Sequence, residues 1–191
     1  MHVQSHLTVE SMTSHAESTA STFLYLLLSL LNLPSATLSH AASHLGVAQS
    51  FTTLLRAFPF HASKGMVVIP AEITAKHGVN QQEVLTRGGS SKPLEDAVFE
   101  FATIANDNLL TARSMFQETG GKVPPEAMPV FAAAVRRILY DVACAHCLQI
   151  PVASILRRLE EVDFDVYDGR LQVRDWKLAW RVWRGYYKRT F

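Results

Sequence analysis

Cysteine is nearly missing from this chain: 191 residues hold two, Cys144 and Cys147. Two cysteines make no disulfide framework, and a reducing compartment is the simple reading. Long apolar runs are missing as well. The most hydrophobic segment, Phe23 to Leu33, falls far short of the ~20 residues that cross a bilayer, so it reads as a core helix. The N-terminus, MHVQSHLTVESMTSHAES, has neither a basic stretch leading into an apolar core nor the arginine-rich, acid-poor pattern of a transit peptide. Targeting information is therefore not in view. Strand-like alternation never exceeds a few residues. Charge is scarce too, at 18% of residues and a formal net of +1. That small sum hides a basic end, because residues 170–191 carry seven Lys or Arg and one Asp.

What the chain does have is helical spacing. With 48% hydrophobic residues, a chain of this length suits one domain with a substantial core. Leu38, Ala41, Ala42, Leu45, Ala48, Thr52 and Leu55 recur at three- and four-residue steps and make one stripe down a helix. His15 to Leu33 reads as a helix stopped by Pro34. Leu94 to Gln117 reads as another, with Val98, Phe101, Ala102, Ala105, Leu109, Ala112 and Phe116 as its apolar face. Further stripes follow Pro129 (Phe131, Val135, Ile138, Leu139, Val142) and Pro151 (Ile155, Leu159, Val162). Stripes of this kind separated by Pro and Gly predict an all-α fold. Gly78 to Leu85 reads as a turn and a short surface helix. Arg87 to Pro93 is a loop, not a phosphate cradle, because no Gly-Lys-Ser/Thr closes it.

Gln49, Thr53 and Arg56 lie beside the first stripe at i, i+4 and i+7. This polar file ending in a cation is the pattern of a helix that lines a mostly apolar pocket with a few polar anchors. Pro59 ends or kinks the helix. His61 to Gly65 then reads as a loop, and Met66 to Pro70 as a short extended apolar clasp. Gly46, Ala48, Gln49, Thr52, Leu55 and Arg56, followed by Gly65, Val67-Val68-Ile69-Pro70 and Glu72, together resemble the second signature of the squalene/phytoene synthase family. In active members an aspartate follows the arginine, a Glu-Asp pair comes three residues on, and an arginine follows the loop glycine. Those carboxylates hold magnesium against a prenyl diphosphate, work that needs hard oxygen ligands. The resemblance puts Ala57 at the aspartate position, Phe60 and His61 at the pair, and Met66 at the arginine. Methyl, phenyl and imidazole groups do not replace such carboxylates.

The resemblance thus implies an isoprenoid-synthase-type helical bundle retained without its chemistry: no catalytic residues, no cofactor and no metal. Ser18 and Ser21 sit where the synthases carry small glycines that let helices approach. The wording of residues 15–21, of His40-Ala41-Ala42-Ser43-His44-Leu45-Gly46, and of Pro59-Phe60-His61 is most similar to a non-catalytic subfamily that assists assembly of mitochondrial respiratory complex I. That likeness implies partners among complex I assembly intermediates or other assembly factors. It also implies a place at the matrix side of the inner membrane. The polar file alone, Gln49, Thr53 and Arg56, suggests a lipid-like or prenyl ligand in a residual pocket. The alternative is an enzyme, a magnesium-dependent prenyl transferase of the phytoene or squalene synthase type acting on prenyl diphosphates. The family's first aspartate motif belongs upstream of His15. Residues 1–14 are accordingly expected to be a poorly defined segment, and 15–191 the C-terminal part of the domain. The apolar face of Phe23 to Leu33 would then be partly uncovered.

Other clusters carry plainer readings. Cys144 and Cys147 share a helix face while His146 points away, so buried thiols are preferred to a zinc site. His40 and His44 stand at i, i+4 but without a His-Glu-x-x-His pattern, and read as surface histidines. Arg113 reads as a solvated helix cation in preference to one that points at a pocket. Asp163 and Asp165 read as part of a docking turn in preference to a carboxylate pair on an extended segment. Between Arg174 and Lys188, Trp176, Trp180, Trp183 and Tyr187 form an aromatic file among Arg174, Lys177, Arg181, Arg184 and Lys188. This is a candidate membrane or partner helix, suited equally to an anionic lipid surface and to packing on the bundle. A nucleic-acid role lacks any recognised module.

Overall fold

The computed structural model describes residues 7–117, 120–131, 152–173 and 178–189. Every regular element among them is helical: α1 (Val9–Ala16), a π-helical turn (Glu17–Ser21), α2 (Thr22–Leu30), α3 (Ala36–Arg56), α4 (Phe58–Ser63), α5 (Ala71–Lys76), α6 (Gln81–Arg87), α7 (Lys92–Ser114), α8 (Val152–Glu161), a 3-10 turn (Gly169–Gln172) and α9 (Leu178–Lys188). The all-α expectation holds.

Several ends are written in local chemistry. Thr8 caps α1 by accepting from the Ser11 amide at 3.1 Å, Ser35 caps α3, and Asn80 caps α6 by accepting from Glu83 N at 3.2 Å. Each satisfies an amide that the first helical turn leaves without a partner. Capping starts the first helix at Val9, six residues before the expected His15. The helix then runs through the π turn into α2 and stops at Leu30.

α3 is the axis of the fold, packing on α1, the π turn, α2, α7 and α8. Its expected stripe is buried throughout. One side gives Val47, Phe51 and Leu55 to a core shared with Phe58, Ile69, Ile73, Leu94, Phe101 and Leu159. The other gives Leu38, Ala41, Leu45 and Ala48 to a second core with Leu24, Leu28, Leu109, Phe116 and Phe131. Phe51 and Phe101 stack at 4.7 Å between centroids, joining α3 to α7. The α7 stripe is also buried throughout.

α2 is a core helix on one face only, and its apolar surface is partly uncovered as expected. Leu24 and Leu28 are buried, whereas Leu26 is 58% and Leu30 80% exposed, so only one face meets the bundle. Among the described residues no helix is long and apolar enough to cross a membrane.

The π turn and α3 approach closely enough to exclude a side chain. A Cβ on Gly46 would lie 2.4 Å from Ser21 Oγ and 2.7 Å from both Ser21 Cα and Ser21 N. Ser21 Oγ itself donates to the Ser43 carbonyl at 2.9 Å. Of the two expected small-residue positions, Ser21 makes the approach. Ser18 is exposed and its hydroxyl donates back to Ser14 O. Because backbone atoms would have to move, Gly46→Ala is expected to lower stability by about 1–3 kcal/mol, despite a helix propensity that favours alanine by about 1 kcal/mol. Denaturant unfolding of the two chains measures the difference.

Candidate functional site

The polar file at the end of α3 divides. Arg56 is 9% exposed, and its carbonyl accepts from Gln172 Nε2 at 3.0 Å, tying the 3-10 turn over the helix end. Gln49 is half-buried with its Oε1 buried and unsatisfied. Thr53 is exposed, and its hydroxyl donates to the Gln49 carbonyl at 2.7 Å. Gln49 and Arg56 are thus covered by the fold, while Thr53 is spent on its own helix.

Past Arg56 the chain does not enter a loop. Ala57 breaks α3 with φ −84° and ψ 3°, and Pro59 then opens the new helix α4, as proline's fixed φ allows in a first turn. His61 is therefore helical, a correction to the loop expected there. Of the three positions that the resemblance sets against metal-binding carboxylates, Phe60 is 53% exposed, while Ala57 and His61 are half-buried. Phe60 and His61 meet edge to face at 5.5 Å. His61 Nδ1 is buried without a hydrogen bond, and burial lowers its pKa. Tyr167, edge-on to Phe58 at 5.8 Å, has a buried hydroxyl with no well-formed hydrogen bond. Burial raises its pKa, and the nearby Gly89 backbone offsets part of that rise.

A cavity of about 350 Å³ lies between α7 and α8. Its lining includes Phe99, Thr103, Asn106, Arg113, Leu156 and Glu160, and none of Gln49, Thr53 or Arg56. Arg113 is half-buried there, and desolvation lowers its pKa. This corrects its reading as a solvated cation. Asp163 and Phe164 adopt positive φ of 51° and 62°, and Asp165 Oδ1 accepts from Tyr167 N at 2.8 Å. The segment is a turn, with no extended pair of aspartates.

The sequence gives no sign of a clamp between α5 and α7. Glu100 Oε2 meets Lys76 Nζ at 2.8 Å and His77 Nε2 at 2.6 Å. Hydrogen bonds from those two side chains hold the Glu100 carboxyl below the usual range. The partners lie 24 and 23 residues from Glu100, so no local pattern links them.

On α9, Trp180 is 56%, Trp183 60% and Tyr187 80% exposed. Trp183 and Tyr187 stack at 5.6 Å, and the Arg184 guanidinium sits 5.2 Å from the Trp180 ring centroid. Among the described residues these three rings are exposed. Trp176, the side chain of Arg181, and Cys144, His146 and Cys147 lie outside the described residues. No group of three or more His, Cys, Asp or Glu placed to hold a metal occurs among the described residues.

His61 supplies a test with a defined sign. Its folded pKa lies below the unfolded value of ~6.5, so the unfolded chain binds the proton first as pH falls. Stability present above ~6.5 is therefore lost progressively below it. His61→Phe is expected to flatten that part of the stability profile, as read from urea midpoints between neutral and mildly acidic pH.

Comparison with known proteins agrees with the helical architecture. The family model described as squalene/phytoene synthase matches residues 1–184. A rat protein named NADH dehydrogenase (ubiquinone) complex I, assembly factor 6 is 32% identical over 172 residues, which is 90% of this chain and 46% of the rat protein. The human protein of that name is 32% identical over 183 residues, 96% of this chain and 49% of its own length. A Drosophila melanogaster homolog is 35% identical over 132 residues, 69% of this chain and 38% of its own. The chain spans about half the length, or less, of these relatives. No solved structure matches it. With 184 of its 191 residues matched by the family model, the chain belongs to the squalene/phytoene synthase family.

Proposed function

We propose that this protein assists the assembly of mitochondrial respiratory complex I without catalysing prenyl transfer, and that it works at the matrix side of the inner membrane. The observation carrying the reading is the likeness, over 90–96% of this chain, to rat and human proteins named as complex I assembly factors. The non-catalytic part rests on Ala57, Phe60 and His61 standing where active synthases hold magnesium-binding carboxylates. A methyl group, a half-exposed ring and a half-buried neutral imidazole offer no hard oxygen donors. A magnesium-dependent prenyl transferase, the rival reading, needs such donors at these positions.

The membrane part is supported by α9. Exposed Trp180, Trp183 and Tyr187 beside Arg184 and Lys188 combine rings that favour the headgroup boundary with cations that favour anionic lipid. Assembly intermediates or other assembly factors are the partners on this reading. A lipid-like or prenyl ligand beside Gln49 and Arg56 belongs to it as well, supported by the buried, unsatisfied Gln49 Oε1.

Deletion of the gene in the source organism is expected to deplete mature complex I on native gels. Wild-type protein restores it, whereas Trp180→Ala/Trp183→Ala shifts the protein into the soluble matrix fraction. Unchanged complex I after deletion overturns the proposal. Geranylgeranyl diphosphate without magnesium is expected to raise the melting temperature of the wild-type chain and leave that of Gln49→Leu unmoved. An unmoved wild-type melt removes the ligand from the reading.

A further inference from the structure

His40 and His44 stand one turn apart on α3, and the fold has prepared them in a way their spacing does not reveal. Their Nε2 atoms are 3.1 Å apart, while the ring centroids are 5.0 Å apart with planes inclined by 21°. The rings therefore splay from their bodies and converge at Nε2. His44 Nδ1 lies 2.8 Å from Asn108 Oδ1, contributed by α7. Asn108 Nδ2 donates to the Ile104 carbonyl at 2.9 Å. A carbonyl only accepts, so the amide nitrogen must face Ile104 and the amide oxygen must face His44. That oxygen in turn requires the proton on His44 Nδ1, leaving Nε2 as a bare lone pair aimed at His40.

The geometry points to a two-histidine site for a borderline divalent transition-metal ion, Cu²⁺ or Zn²⁺, formed by His40 Nε2 and His44 Nε2 and oriented by Asn108. Imidazole nitrogens bind such ions at ~2.0–2.1 Å. Two of them on one ion at cis angles between square-planar and tetrahedral are then about 2.8–3.4 Å apart, a range that includes the observed separation. Imidazole suits these ions and not magnesium. The hydrogen bond from Nδ1 to a fixed oxygen is the outer contact that metal-binding histidines depend on for tautomer and ring direction. His40 is exposed and His44 half-buried, so an ion enters from solvent. Among the described residues no third His, Cys, Asp or Glu completes a cluster, which leaves the other coordination positions to water or to a ligand from outside. The site is separate from Ala57, Phe60 and His61, which follow three turns or more further along the chain.

The test is Cu²⁺ titration of the full chain carrying Cys144→Ser and Cys147→Ser, which removes competing thiols. Binding is read by electron paramagnetic resonance, where two coupled nitrogens split the signal, and by Zn²⁺ competition. His40→Ala and His44→Ala are each expected to weaken binding at least tenfold and to lose the two-nitrogen pattern. Asn108→Leu should weaken it about 10- to 100-fold, and Asn108→Asp, which keeps an acceptor for Nδ1–H, should restore it. His40 is exposed, so His40→Ala leaves the fold intact and decides the matter alone: unchanged Cu²⁺ affinity there overturns the site. Loss in the histidine variants with no response to Asn108→Leu, in protein shown folded by circular dichroism, overturns the orienting role.

Discussion

The contact on which this architecture most depends is a backbone approach, that of Gly46 to Ser21. Helices whose side chains interdigitate sit about 8–10 Å apart. Here α3 meets the π turn so closely that one Cβ would strike main-chain atoms. That closeness lets the Ser21 hydroxyl reach the Ser43 carbonyl and Ser43 Oγ reach the Glu17 carboxylate at 3.0 Å. It also seats α3 between the two hydrophobic cores, so that a single helix supplies side chains to both. Displacing α3 would disturb Phe51 against Phe101 and the closure of Gln172 over Arg56 together.

Much of this was legible in the residue order because periodicity and punctuation are local. The α3 and α7 stripes, the short helix after Asn80 and the stripe of α8 all follow from three- and four-residue steps between Pro, Gly and capping residues. Helix starts were less legible. Val9 begins a helix because Thr8 caps it and because Val9 N donates to Glu72 Oε1 at 2.6 Å, a partner 63 positions away. The α4 segment misled for a related reason, since proline that breaks one helix also opens the next. Burial around a helix was the least legible property. Phe23 to Leu33 is apolar on every side, so its composition could not say which face would meet the bundle.

The candidate site divides along the same line. Gln49 and Arg56 were found by spacing, and both are covered by the fold. Thr53 shares the spacing but hydrogen-bonds within its own helix, a choice that spacing cannot express. Asn108 behind His44, the two cations on Glu100 and the unsatisfied Tyr167 hydroxyl arise from partners brought together over dozens of residues. The positions that the resemblance sets against carboxylates are the reverse case. Ala57, Phe60 and His61 are visible in the sequence alone, and the structure adds only how far solvent reaches them.

The π turn of Glu17–Ser21 also sets an angular phase. Along an uninterrupted α-helix, advancing about 100° per residue, Leu24 would sit roughly 120° around the axis from Met12. A π turn absorbs one residue without advancing the helix by that step. Leu24 and Leu28 then come back to within about 60° of Met12 and Ala16, which agrees with all four being at most 3% exposed. Wound as a regular α-helix at unchanged length, the same residues would turn α2 by about 100° and present Phe23 and Leu27 to the bundle in place of Leu24 and Leu28, whereas loss of one residue from the bulge would keep the phase. The bulge works as a gear tooth between two halves of one rod, and the meshing of the first helix with both cores hangs on its keeping count.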